Sequence, residues 1–191
     1  MYKGTSASAG IGIGKAVIVE EVRLVIAMQA VTDVEEEVQR FKGALDETIK
    51  ATEKLAEDLA TRVGEKEAEI MQGHMMLLAD PMLTGEIENS IRNDSVNSEY
   101  AIENVCNMYA DMFASMGDEL MQQRATDMRD IKTRMQQMLM GIQSVDISSL
   151  PEGSIIVAKD LTPSMTAGIN PAKVTGIVTE LGGKTSHSAI L

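Results

Sequence analysis

Tryptophan is absent from this sequence, and two phenylalanines and three tyrosines bring aromatic residues to only 3%. Stacking platforms for nucleic acid need aromatic rings, and a net charge of −12 repels phosphate backbones and anionic membrane surfaces. Both features argue against nucleic acid or membrane as a partner. Cysteine is almost absent too. A single Cys106 rules out an internal disulfide, and its place on an apolar helical stripe makes it a small core residue rather than a reactive thiol. No apolar leader opens the chain and no apolar run is long enough to span a bilayer, so the sequence reads as cytoplasmic, with no membrane insertion. There are two histidines, His74 and His187.

What fills the chain instead is aliphatic and rich in methionine. Apolar residues occupy 44% of the 191 positions and methionine contributes 15 of them. This suffices for one large domain or two small ones. A core of leucine, methionine and alanine suits helices better than β-sandwiches.

Residues 2–20 carry Gly4, Gly10, Gly12 and Gly14 among small and β-branched residues, ending in Ala16-Val17-Ile18-Val19. Gly10-Ile11-Gly12-Ile13-Gly14 fails as a dinucleotide loop because no helix-forming run follows it. A glycine-bent strand or hairpin is predicted. The character changes at Thr32-Asp33-Val34-Glu35, a capping-box pattern. Thereafter Val34, Val38, Phe41, Leu45, Ile49, Leu55, Leu59 and Val63 recur at mostly three- and four-residue spacing, predicting a long amphipathic helix that stops near Gly64. A second helix follows over residues 65–79 and continues beyond Asp80-Pro81, which suit N-cap and N1. A third helix spans 98–117 and a fourth 119–140, together an antiparallel bundle or paired hairpins.

Near Ile142 the β character returns. Residues 154–158 read as a buried strand, 161–167 as a short helix capped by Thr162 or Ser164, and 174–180 as a second strand. That βαβα order implies parallel pairing and a right-handed crossover. The fold class is therefore an α/β part, residues 1–31 and 142–191, incomplete at its C-terminal end, interrupted by an all-α four-helix part over 32–141.

The strand at 174–180 runs into Gly182-Gly183-Lys184-Thr185-Ser186-His187-Ser188-Ala189-Ile190-Leu191. Paired glycines let the backbone approach an anion closely, and Ser186 suits the N-cap of a helix opening at Ser188. The positive end of that helix would keep the His187 ring neutral and favour a phosphoryl group once attached. The same glycines also fit an ordinary tight turn beside a structural histidine.

Charge is concentrated in the helices. From Glu67 to Glu119 there are eleven acids and one base, Arg92, giving −10 of the chain's −12. An acidic helix is ordinarily a solvated face. However, Gly73-His74-Met75-Met76-Leu77-Leu78 puts apolar residues almost all round the helix, more than one core face needs. Flexible methionines with acids nearby suit a partner that carries positive charge. His74 has no histidine or cysteine at ligand spacing, so no metal site is predicted.

Four strings together resemble the Enzyme I family, the phosphoenolpyruvate–protein phosphotransferases of the bacterial sugar phosphotransferase system. They are Gly182-Gly183-Lys184-Thr185-Ser186-His187-Ser188-Ala189-Ile190, Gly73 to Asp80 with Arg124-Ala125-Thr126-Asp127-Met128-Arg129-Asp130, and Leu161-Thr162-Pro163-Ser164 followed by Thr166. Lys184 stands where the family commonly has arginine, Ser188 where it has threonine, and Met165 where it has an acid. A related form in pyruvate phosphate dikinase and phosphoenolpyruvate synthase usually has cysteine at the position of Ser186.

The resemblance implies that His187 accepts a phosphoryl group from phosphoenolpyruvate and passes it to a histidine of the phosphocarrier HPr. By the same likeness Thr166 hydrogen-bonds the active histidine. Gly182, Gly183, Lys184, Thr185 and Ser186 would surround the phosphoryl group, while His74, Met76, Leu77 and Asp80 would line the HPr-docking surface. Arg124 would lie near the phosphoryl path, although Asp127 and Arg129–Asp130 are equally explained by ion pairs along one helix. The family's phosphoenolpyruvate-binding C-terminal barrel, which supplies Mg²⁺ and drives homodimerisation, has no counterpart here. The chain accordingly reads as a fragment that would not use phosphoenolpyruvate alone. Two rivals are the swivelling domain of a dikinase or synthase, whose acceptor would be a nucleotide, and a non-catalytic helical adaptor with an inert His187.

Overall fold

A computed structural model describes residues 4–20, 22–143 and 145–181 of the chain. Five helices follow one another: α1 (Val34–Arg62), α2 (Glu65–Leu78), α3 (Pro81–Asp94), α4 (Ser98–Ser115) and α5 (Glu119–Met140). A three-stranded parallel sheet in the order β1-β2-β3 is built from β1 (Lys15–Val19), β2 (Ser154–Ala158) and β3 (Val174–Thr179). The short helix α6 (Pro163–Ala167) connects β2 to β3. The helices thus lie between two sheet-forming stretches of the chain.

Local chemistry explains most element ends. The N-cap of α1 is Asp33, whose carboxylate accepts the Glu36 amide at 2.9 Å. The cap sits one residue beyond the Thr32 start suggested by the capping-box pattern. Asp80 caps α3 by accepting from the Met82 amide at 2.8 Å, with Pro81 in the first turn. What the sequence suggested as one interrupted helix is therefore two, α2 and α3, and the helical part has five helices rather than four. Thr162 caps α6 through the Met165 amide.

The described residues before β1 form no hairpin; β1 pairs in parallel with β2 instead, Lys15 opposite Ser154. The glycines there serve close approach. A Cβ on Gly14 would run into the Gly153 carbonyl, and one on Gly12 into the Thr175 carbonyl. Gly14→Ala is therefore expected to destabilise the protein by about 1–3 kcal/mol, as overpacking does. By contrast Gly43, exposed within α1 and open to added bulk, should gain roughly 0.5–1 kcal/mol as alanine. Urea unfolding of both variants checks the pair. A neutral Gly14→Ala would mean that the strand approach is looser than the structure has it.

Three clusters carry the packing. Phe41, Leu78, Leu83, Ile87, Ile91, Ile102, Met128, Ile131 and Met135 lie among the residues of the large helical core. Cys106 belongs to it, and burial pushes its thiol up to about 12, which makes it inert. Val19, Ile147, Leu150, Ile156, Leu161 and Ile169 form the core under the sheet. A small third cluster of Leu59, Met71 and Ala167 joins α1 and α2 to α6. At the rim of the bundle, burial pushes the Glu37 carboxyl up, but hydrogen bonds from Arg40 and Ser98 outweigh it and bring it to about 2.

Candidate functional site

The C-terminal edge of the parallel sheet is where α/β proteins place their ligands. Here β3 is extended past its last strand residue by two backbone bonds, Glu180 to the Ala158 carbonyl at 3.1 Å and Leu181 to the Lys159 carbonyl at 2.9 Å. The chain is thus held at that edge up to the residue before Gly182. Gly182, Gly183, Lys184, Thr185, Ser186 and His187 lie outside the described residues. The β2–α6 turn, Lys159 to Thr162, leaves from the same edge and carries the chain into α6 and Thr166.

Thr166 is buried, and its hydroxyl donates to the Thr162 carbonyl at 2.9 Å. A threonine hydroxyl has one donor and two acceptor positions. With the donor engaged, Thr166 has only lone pairs to offer a further partner. Any imidazole meeting it must bring its own N–H.

Both ends of α6 are gripped by the helical bundle. Arg62, the last residue of α1, donates to the carbonyls of Ala167 (3.0 Å), Gly168 (3.2 Å) and Ile169 (2.6 Å). Asp130 of α5 accepts from the Ser164 amide and the Ser164 hydroxyl, each at 2.8 Å. Asp130 thus uses both oxygens on Ser164 rather than on an i,i+3 or i,i+4 ion pair along α5, and Arg129 reaches towards Asp111 at 3.8 Å. The bonds of Arg62, Asp130 and Ser164 went unread in the sequence. The one available signal was Asp127 and Asp130 at i,i+3, two carboxylates on a single helix face.

Behind Asp130 lies His74. It is 0% exposed, with Nε2 3.2 Å from Asp127 Oδ1 and Nδ1 3.9 Å from Asp130 Oδ2. The placement of His74 on a docking surface is therefore corrected: on α2 it faces inward, between two carboxyl groups. Arg124 lies on the same side, 3.8 Å from Asp127 Oδ2, its guanidinium so close over Gly73 that a Cβ there would meet it. The structure thus brings His74, Arg124 and Asp127 together.

Met76, Leu77 and Asp80 belong to a different face. Met76 is 70% exposed, Leu77 and Asp80 are half-buried, and Asp80 also caps α3. Further exposed apolar side chains are Met82, Met108, Met112, Met116 and Leu120. The Tyr109 hydroxyl is pushed upward, first by burial and then by the charges of Glu86 and Asp80, which places both acids in its neighbourhood. Other acids of this region are neutralised in place: Glu88 pairs with Lys42 and Arg92, Glu99 with Arg40, and Glu103 with Lys132.

Between the bundle and α6 lies a cavity of about 520 Å³, lined by Lys54, Asp58, Asp130, Arg134, Thr162 and Ser164 among others. Burial lowers the Arg134 pKa, with Asp130 opposing. Among the described residues no group of three or more His, Cys, Asp or Glu side chains is arranged to hold a metal ion. No described helix is long and apolar enough to cross a membrane.

Similarity to known proteins agrees with this architecture. Residues 3–124 match the family described as PEP-utilising enzyme, N-terminal, and residues 150–191 match PEP-utilising enzyme, mobile domain. The phosphoenolpyruvate-protein phosphotransferase of Listeria monocytogenes is 42% identical over 189 residues, covering 99% of this chain and 33% of the relative. That of Bacillus subtilis is 41% identical with the same coverage. The chain therefore spans about a third of the length of the curated relatives it matches. A solved structure described as the NMR solution structure of Enzyme I (nEIt) superposes with a TM-score of 0.86 at 38% identity, covering 100% of this chain and 77% of that one. The N-terminal domain of Enzyme 1 - Nitrogen shares the fold, with a TM-score of 0.67 at 24% identity, covering 96% of this chain and 76% of that one. The chain belongs to the PEP-utilising enzyme family, as a member of its Enzyme I type.

Proposed function

We propose that this chain is the phosphohistidine-bearing, partner-docking part of a phosphoenolpyruvate–protein phosphotransferase. In the first step the P–O bond of phosphoenolpyruvate breaks and a P–N bond forms on His187, releasing pyruvate. In the second that P–N bond breaks as a histidine of HPr takes the phosphoryl group. The observation that carries this reading is the Gly182–Ile190 string, with its charge and hydroxyls kept, in a chain aligned over 99% of its length with named phosphotransferases. Thr166 accepts the N–H of one ring nitrogen and leaves the other neutral and free to attack phosphorus. Gly182, Gly183 and the polar side chains of Lys184, Thr185 and Ser186 surround the phosphoryl oxygens, so catalysis is mainly positioning and charge stabilisation. The phosphoenolpyruvate site, its Mg²⁺ and the homodimer contacts belong to the longer protein, and the α/β and helical parts meet near residues 31/32 and 141/142.

HPr docks on the exposed face of α2 to α4, where Met76 and Leu77 supply apolar contact and Asp80 and Glu86 supply negative charge. Arg124 stands partly exposed above Gly73 of α2, beside Asp127. His74 supports the face from inside rather than touching the partner. Affinity for HPr should therefore fall as salt rises, and Met76→Ala with Leu77→Ala should weaken it about tenfold or more, the loss of two apolar contacts. Calorimetric titration across ionic strengths reads both; binding indifferent to salt and to the double variant would put the interface elsewhere.

The function itself is tested by incubating the protein with radiolabelled phospho-HPr and mapping the label. Acid-labile, base-stable label at His187, returned to HPr on chase, is the expected result. No label, or a nucleotide as the required acceptor, overturns it.

A further inference from the structure

A helix of five residues cannot hold its own direction. Nevertheless α6 carries Thr166, whose hydroxyl must be aimed correctly for the reaction proposed above, on which this inference rests. Its two grips come from the bundle: Arg62 at the C-terminal carbonyls and Asp130 at the N-terminal turn. We infer that Asp130 is a positioning residue for phosphoryl transfer, fixing the first turn of α6 and through it the Thr166 hydroxyl that receives the His187 ring.

The Thr162 carbonyl accepts both the Thr166 amide and the Thr166 hydroxyl, at 2.9 Å each. The direction of that hydroxyl therefore depends on how the Thr162–Ser164 turn is seated. Asp130 seats it: both carboxyl oxygens are used on Ser164, one on the amide and one on the side chain. The carboxyl is only 4% exposed, so water cannot substitute for Ser164. With Arg62 at the other end, α6 has two anchors and cannot pivot about either one.

His74 completes the arrangement. It fills the space between Asp127 and Asp130, and its Nδ1 is buried with no hydrogen-bond partner, facing Asp130 Oδ2. The same helix α2 presents Met76 outward. The anchor of α6 is thus backed by the inner face of the helix whose outer face docks HPr. Buried polar groups that share one network act together rather than singly.

The test uses the full-length protein, with quench-flow transfer to HPr, calorimetric HPr binding and the ¹⁵N resonances of the His187 ring. Asp130→Ala should slow transfer at saturating HPr by about tenfold or more, the effect of one misplaced orienting hydrogen bond, with HPr affinity unchanged. The ring resonances should shift from a single tautomer to an exchanging mixture. Asp130→Asn, which keeps an acceptor for the Ser164 amide, should recover most of the rate. Asp130→Ala combined with Thr166→Val should be no slower than the slower single variant, since both act through one hydroxyl. Circular dichroism confirms folding, and Ser164→Ala repeats the test should Asp130→Ala fail to fold. Wild-type rate and ring resonances in folded Asp130→Ala or Ser164→Ala overturn the inference, as does a loss seen only in HPr affinity. Failure of the wild-type protein to pass phosphate to HPr overturns the functional reading itself.

Discussion

Replacing His187 with glutamine is expected to abolish phosphoryl transfer to HPr while leaving HPr affinity at the wild-type value. Glutamine preserves size and some hydrogen bonding, but its amide nitrogen cannot attack phosphorus. The only other histidine, His74, is fully buried against Asp127 and cannot reach a substrate. No second residue can therefore take over the covalent step. On the proposed docking face of Met76, Leu77 and Asp80, far along the chain from His187, HPr affinity should be unaffected. Thr166→Val makes the graded counterpart: the nucleophile remains but loses its orienting acceptor, and the rate falls by about tenfold, which corresponds to roughly 1.4 kcal/mol. Quench-flow measurement on the full-length protein separates the two. Transfer by His187→Gln at the normal rate would end the proposal.

Phe41→Ala should cost about 3–5 kcal/mol of stability, the range for deleting a fully buried aromatic ring. Phe41 is the largest of the fully buried side chains and sits in α1 within the main helical core, with Val38 on the same helix and Leu83, Ile87 and Ile131 in the same cluster. The surrounding core is built largely of Val and Ile with a few Leu and Met, and among the described residues no other aromatic is fully buried to take up the space. Methionines can partly refill it, which places the loss towards the lower end of that range. Urea unfolding followed by far-UV circular dichroism gives the number, and HPr binding should weaken only as the folded fraction falls. A loss under about 1 kcal/mol would show that the ring is not in the core.

The helical architecture was readable without coordinates because its determinants are local. Asp80-Pro81 and Gly141 act within one turn of their own position, and each marks a helix end where expected. The three- and four-residue spacing of Val34, Val38 and Phe41 states which face of α1 goes inward. Further along α1 the rule loosens: Ala44, Thr48 and Thr52 are buried where Leu45 and Ile49 were the apparent stripe. The threonines tolerate burial because each hydroxyl bonds the carbonyl four residues back. The parallel pairing of β2 with β3 was legible as well, since the short helix between the two apolar runs supplies the crossover a parallel pair needs.

Sequence by itself determined the chemistry on offer: a glycine-rich histidine string, a threonine on a short helix, an acidic methionine-rich face and a chain that alternates sheet, helices and sheet. Only the tertiary structure decided which of those residues share a site. A histidine surrounded by apolar residues in sequence looks equally suited to a surface and an interior, because helix neighbours one apart point in different directions. Packing of α2 against α5 turned His74 inward and left Met76 outside. Asp130 likewise bonds Ser164, 34 residues away, while its chain neighbour Arg129 points in another direction on α5 and reaches towards Asp111.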